Sequence, residues 1–177
     1  MRIPDKEECL SLLNKYGADE KLISHSIMVS KVALEIGKGC GADEKMLEAG
    51  ALLHDIGKTV TSGISHGAEG HSILLKEGYD EMIARFCSTH VGAGLLKKTA
   101  KKFKLPDLDY IPRSLEEKIV CHADTLLKGS KVVTLDEIIK DYEIRNLSSE
   151  IPRLKRLDDQ LKKKCGYRIE ELLKLNE

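Results

Sequence analysis

Leu52-Leu53-His54-Asp55-Ile56-Gly57-Lys58 is the stretch on which the reading of this chain turns. Two leucines lead into an imidazole and a carboxylate set side by side, and a glycine and a lysine follow at once. Upstream, Asp43 is a good N-cap, and Leu47, Ala51 and His54 recur on one face. The spacing predicts a helix that opens at Asp43 and ends at Gly57, where glycine stops it. A single histidine on an apolar face is more often a hydrogen-bonded core residue than a ligand. The reading therefore depends on what else the chain brings to the same core.

Outward from this stretch, other polar side chains sit where apolar ones are expected. His25 lies on the stripe Leu22, His25, Val29, Val32, Ile36 of a helix spanning about residues 19–38. Asp124 shares a face with Val120 and Leu127 on a helix that begins at the capping box Ser114-Leu-Glu-Glu117 and runs toward Gly129. His90 ends the face Tyr79, Ile83, Phe86 of a helix over residues 79–90. A buried polar group without a partner is costly, so these residues need each other or a cation. Imidazoles and carboxylates converging from several helices are what a first-row transition metal requires. Such a donor set favours Mn, Fe, Co, Ni or Zn over Mg or Ca.

The rest of the chain agrees with a helical fold. Apolar residues recur at helical spacing almost throughout, which predicts an all-α single domain over residues 1–177. Helices are expected over 4–15 and 65–78, and C-terminal helices over about 135–177. A basic helix after Gly94 would turn Leu96, Ala100 and Phe103 inward and Lys97, Lys98, Lys101, Lys102 and Lys104 outward. That lysine run reads as a solvated face, or as a rim that attracts phosphorylated substrates. Residues 105–112, with two prolines, form a connector, and Lys131-Val-Val-Thr134 is a modest strand candidate on which the fold does not depend. With 177 residues, 41% hydrophobic and 33% charged, the composition is that of a globular chain. The 29 basic and 29 acidic side chains cancel, which argues against a long nucleic-acid partner or an anionic membrane surface. No apolar run is long enough for a membrane span, and the first residues lack a signal-peptide core, so a cytoplasmic location is expected. Five widely spaced cysteines, Cys9, Cys40, Cys87, Cys121 and Cys165, read as reduced and mostly buried. His122 lies on the opposite side of its helix from Asp124 and reads as unrelated packing.

The ordered set His25, His54-Asp55 and Asp124 resembles the HD-domain superfamily of metal-dependent phosphohydrolases, whose fold is a helical bundle. The His-Asp-Ile-Gly-Lys wording resembles its HDIG subgroup, and in particular the small stand-alone archaeal members. The resemblance covers roughly residues 20–130. In two-metal members a His-Pro-x-x-Gly helix follows and another histidine comes about two dozen residues later. His66-Gly-Ala-Glu-Gly70 and His90 fit that template, with proline replaced by glycine; a register with His71 as ligand stays open. The resemblance implies two divalent transition metals: one held by His25, His54 and Asp124, the other by His66 and His90, with Asp55 bridging. It further implies a metal-activated water as nucleophile and Lys58 as a phosphate-binding cation. His71, Tyr110 and Arg113 are candidate substrate contacts from their positions in the chain. The expected activity is hydrolysis of a phosphomonoester or phosphodiester of a nucleotide-like small molecule. An HD-type di-iron oxygenase and a non-catalytic nucleotide-binding module are the alternatives, and the sequence leaves the oligomeric state open.

Overall fold

The computed structural model describes residues 2–177. Its α-helices, in chain order, are α1 (Lys6–Lys15), α2 (Glu20–Gly37), α3 (Glu44–Leu53), α4 (His66–Lys76) and α5 (Glu81–Thr89). They continue with α6 (Lys97–Lys102), α7 (Leu115–Thr125), α8 (Leu135–Ile144), α9 (Ile151–Cys165) and α10 (Ile169–Leu173). Most start where a short polar side chain can take up a free backbone N–H. Asp5, Asp19, Asp43, Asp80, Ser114 and Thr134 each accept from the first turn of the helix that follows. The fold class expected from the sequence is the one observed. No helix among the described residues is long and apolar enough to cross a membrane.

Helix α2 is the centre of the packing. It lies against α3 and α7 and buries Val29, Val32, Ala33 and Ile36 with Leu47, Leu53, Ile119 and Val120. Helices α4 and α5 pair beside them, and Phe86 of α5 packs on Gly50 of α3, where a Cβ would fall 2.5 Å from the ring. Because α2, α3, α5 and α7 meet in this one core, polar groups on their inward faces are brought together.

Several expectations are corrected. The helix expected over 43–57 stops at Leu53, and Ile56–Thr59 forms a separate 3-10 turn closed by the Lys58 N–H donating to Asp55 O at 2.8 Å. The chain bends there because Gly57 is pressed against the backbone of α4. Glu117 does not close the capping box on Ser114. Its carboxylate instead takes a two-pronged pair from Arg85, at 2.7 and 3.0 Å, and the N–H of Arg113. Phe103, expected inward, is 49% exposed, because α6 is too short to present a whole face to the core. The strand candidate forms a two-residue strand, β2 (Lys131–Val132), antiparallel to β1 (Leu127–Lys128). Gly129, at φ 65°, turns that hairpin rather than ending α7.

The cysteines are not all reduced. Cys40 and Cys165 are joined by a disulfide that ties the end of α2 to the end of α9, while Cys9, Cys87 and Cys121 are free and buried. Sequence spacing could not reveal a bridge 125 residues apart. His122 is packing of a specific kind: its Nε2 lies 2.6 Å from the Tyr167 hydroxyl and 3.1 Å from Asp158 Oδ1. Tyr167 and Lys162 also donate to Asp158. Burial opposes ionisation of Asp158, but these three donors outweigh it and hold the carboxyl well below the usual aspartate range. A depressed folded pKa means stability that is full above the unfolded value, near 4, and is lost as pH falls below it. Asp158→Asn should cost about 2 kcal/mol at pH 7 and flatten the acid side of the stability profile. Thermal unfolding followed from pH 7 to pH 3 checks this; an acid limb as steep as the wild type's would refute it.

Candidate metal centre

Each side chain of the centre is delivered by a helix end or an inward helix face. His25 comes from the first half of α2, His54 and Asp55 from the bend after α3, His66 from the start of α4, His90 from the end of α5 and Asp124 from the last turn of α7. Their donor atoms fall into two groups, each within 4.8 Å: His25, His54, Asp55 and Asp124 in one, and Asp55, His66 and His90 in the other. Asp55, fully buried, belongs to both. Its Oδ2 lies 3.4 Å from His25 Nε2 and 3.3 Å from His54 Nε2. Its Oδ1 lies 3.4 Å from His66 Nε2 and 3.2 Å from His90 Nε2. Asp124 Oδ1 adds contacts of 3.0 Å to His25 and 3.6 Å to His54.

The four histidines share one orientation. Each sets Nδ1 against a backbone carbonyl: His25 on Gly129 at 2.7 Å, His54 on Ala51 at 2.6 Å, His66 on Gly63 at 2.8 Å and His90 on Phe86 at 3.2 Å. A carbonyl only accepts, so Nδ1 carries the proton and Nε2 is left to face the carboxylates as a donor atom. Gly129 sits at the hairpin turn, which explains why β1 and β2 matter to the centre. Two further observations fit a cation. His54 Nε2 and Asp55 Oδ1 are buried without a hydrogen-bond partner, which neutral packing would not leave uncompensated. His66 Nε2 and His90 Nε2 also lie 2.9 Å apart, so two lone pairs face one another.

The electrostatics agree. Burial disfavours charge on His25, yet the hydrogen bonds to Asp124 and Asp55 outweigh it and lift the imidazole to about 9. At His54 burial is likewise overcome, by the Asp55 charge and by the nearness of the Asp124 carboxylate, and the value rises to about 10. Asp55 and Asp124 are held well below the usual carboxylate range despite burial. His66 goes the other way: burial and the neighbouring His90 lower it to about 4. The group of His25, His54, Asp55 and Asp124 is thus built to hold positive charge.

The first group opens on a cleft of about 710 Å³, lined by His25, Asp55, Lys58 and Asp124 among others. His54, His66 and His90 do not line it, so of the second group only Asp55 reaches the cleft. Lys58 stands at the cleft with Nζ on Asp55 Oδ2. The three other candidate substrate contacts are placed away from this cleft. His71 lies five residues along α4 from His66, about 140° around the helix, and its Nε2 meets Glu81 Oε1 at 3.0 Å. Tyr110 is buried in a small cluster with Ala68, Leu95 and Ala100 and donates to Pro106 O. Arg113 is exposed and pairs with Asp109. None of the three lines the cleft, nor do the lysines of α6.

The HD domain family matches residues 22–129, more than half of the chain and the whole of both donor groups. The chain belongs to the HD-domain family. Relatives extend the match. A tRNA (cytidine(56)-2'-O)-methyltransferase of Picrophilus torridus is 39% identical over 172 residues, covering 97% of this chain and 50% of that protein. This HD-domain chain therefore spans half the length of that relative. An uncharacterized protein of Methanocaldococcus jannaschii is 42% identical over 156 residues, 85% of this chain and 91% of that one. Among solved structures, the HD domain of the L. monocytogenes phosphodiesterase PgpH superposes with a TM-score of 0.60 at 22% identity, covering 98% of this chain and 100% of that one. The PgpH domain in complex with cyclic-di-AMP gives a TM-score of 0.55 at 23% identity. At that identity the likeness is one of fold.

Proposed function

We propose that this HD domain hydrolyses a phosphate ester of a nucleotide-like small molecule with two divalent transition metals. His25, His54 and Asp124 would hold one, His66 and His90 the other, and Asp55 would serve both, one oxygen to each. The observation that carries this reading is the division of the Asp55 oxygens between two sets of histidine Nε2 atoms. Membership of the HD family and likeness in fold to a phosphodiesterase domain support it.

Bound cations would acidify a water and neutralise phosphoryl oxygens. The chain's own residues supply the rest. The backbone carbonyls on Nδ1 of each histidine fix the tautomer and the ring orientation, and so keep the donor atoms in place before substrate arrives. In hydrolysis a water oxygen bonds to phosphorus as the ester P–O bond breaks, one proton leaving the water and one reaching the departing oxygen. Lys58, at the cleft, is the cation that would move from Asp55 onto a phosphoryl oxygen. The methyl-transfer activity in the name of the Picrophilus relative is not assigned to this chain, because half of that protein lies outside the match.

Elemental analysis, paired with turnover of p-nitrophenyl phosphate and bis-p-nitrophenyl phosphate in added manganese or nickel, tests the proposal. About two metal equivalents together with hydrolysis are expected. Two irons with an oxygen-dependent product and no hydrolysis would replace the reading with an oxygenase on the same ligands. Failure to turn over any phosphate ester would leave a nucleotide-binding module.

A further inference from the structure

The family match ends at residue 129, but the cleft that opens on Asp55 does not. Beyond that point its wall is carried by α8 through Asp141 and Tyr142, and by Arg145 just past the helix end. Lys128 of the hairpin and Lys21 of α2 line the same cleft. Apart from Asp55 and Asp124, the charged lining is four cations, these three and Lys58, against two carboxylates, Asp19 and Asp141. Asp19 is already engaged as the N-cap of α2, accepting from the Leu22 N–H at 2.8 Å. Asp141 is shared loosely, 3.6 Å from Lys128 and 3.8 Å from Arg145. Ion pairs this long between exposed groups are weak, so an anion of higher charge can take both cations from it. Tyr142 is half-buried, backed by the small apolar cluster of Val133, Ile138 and Leu154, and lines the same cleft as those cations. The cleft volume is that of a small-molecule site, larger than one phosphate fills.

We infer that the α8 wall is a subsite for a second phosphate, one that is not cleaved, with Lys128 and Arg145 as its cations and Tyr142 as the surface for the attached nucleoside. The substrate class is then a nucleotide bearing at least two separate phosphate groups. Which phosphate is cleaved rests on the hydrolase reading above; that the second is bound does not.

The test measures binding and turnover separately. Adenosine 3',5'-bisphosphate and adenosine 5'-monophosphate are titrated calorimetrically into the metal-loaded protein, its Arg145→Met and Lys128→Met variants, and a Lys101→Met control on α6. The wild type and the control should bind the bisphosphate roughly tenfold or more tightly than the monophosphate, with a preference that shrinks as salt is raised. Each cleft variant should lose most of that preference, with a much smaller change for the monophosphate. Tyr142→Leu should weaken both nucleotides and leave inorganic phosphate binding less affected. If the wild type hydrolyses chromogenic esters but the cleft variants keep the full preference, the subsite is wrong and the hydrolase reading stands. If no ester is hydrolysed and yet the preference depends on Arg145 and Lys128, the subsite stands and the hydrolase reading falls.

Discussion

An Asp55→Ala protein is expected to fold, to retain no stoichiometric metal and to lose phosphoesterase activity by a factor on the order of a thousand or more. The size of the effect follows from the geometry. Every other donor serves one group only, so its loss leaves the other group complete. Asp55 contributes one oxygen to each, and its removal reduces both at once. The group of His66 and His90 would be left with two imidazoles and no anion to offset a divalent charge. The open group would keep Asp124, but lose the oxygen shared between His25 and His54. Folding should survive, because the buried carboxylate is ringed by polar groups that lose a charge rather than a packed apolar contact; its desolvation cost also disappears. Elemental analysis and circular dichroism on the same sample separate the two effects. A folded Asp55→Ala protein carrying two metals, or one with wild-type turnover, would end the two-metal account. His90→Ala is the internal comparison: it should lose one equivalent and keep the other, since Asp124, His25 and His54 are untouched.

The parts of this centre that were legible in the sequence are those where chemistry contradicts burial. His25, His54 and Asp124 stand on stripes otherwise made of leucine, valine, isoleucine and alanine, and that mismatch is visible without a structure. Their delivery to one point is a consequence of α2, α3 and α7 sharing a core, which the apolar periodicity already implies. What could not be read is whatever depends on direction rather than on position. His71 is a candidate from its place in the motif, but five residues of helix turn it toward Glu81. Tyr110 and Arg113 precede the Asp124 helix, yet the connector folds them against Pro106 and Asp109. Conversely, Tyr142 and Arg145 carry no motif, and only the return of α8 over the cleft gives them a place. The Cys40–Cys165 bridge is hidden for the same reason: two cysteines far apart in the chain look alike whether or not the fold brings them together.

Gly57→Ala is expected to cost about 3 kcal/mol or more and to remove one metal equivalent selectively. A Cβ at this position would lie 1.9 Å from the carbonyl oxygen of His66 and 2.5 Å from the amide nitrogen of Gly70. Both are main-chain atoms of the first turns of α4, so no rotamer change can relieve the overlap. Either the 3-10 turn or α4 must shift as a unit. The turn is held through Asp55 and Lys58, while α4 begins at His66, whose Nδ1 depends on the Gly63 carbonyl at 2.8 Å. Displacing α4 therefore moves His66 away from Asp55 Oδ1 and breaks up the second group, while His25, His54 and Asp124 sit on elements that need not move. The glycine after the histidine-aspartate pair is thus a spacing requirement of the second donor group rather than a helix terminator. Gly63→Ala is the control, since its nearest neighbours would be 3.7 Å from the added Cβ. It should keep two equivalents and unfold within about 0.5 kcal/mol of the wild type. Thermal melts with metal analysis on both variants decide the matter: a Gly57→Ala protein that retains two metals would show that the close approach of turn and helix does not set the position of His66.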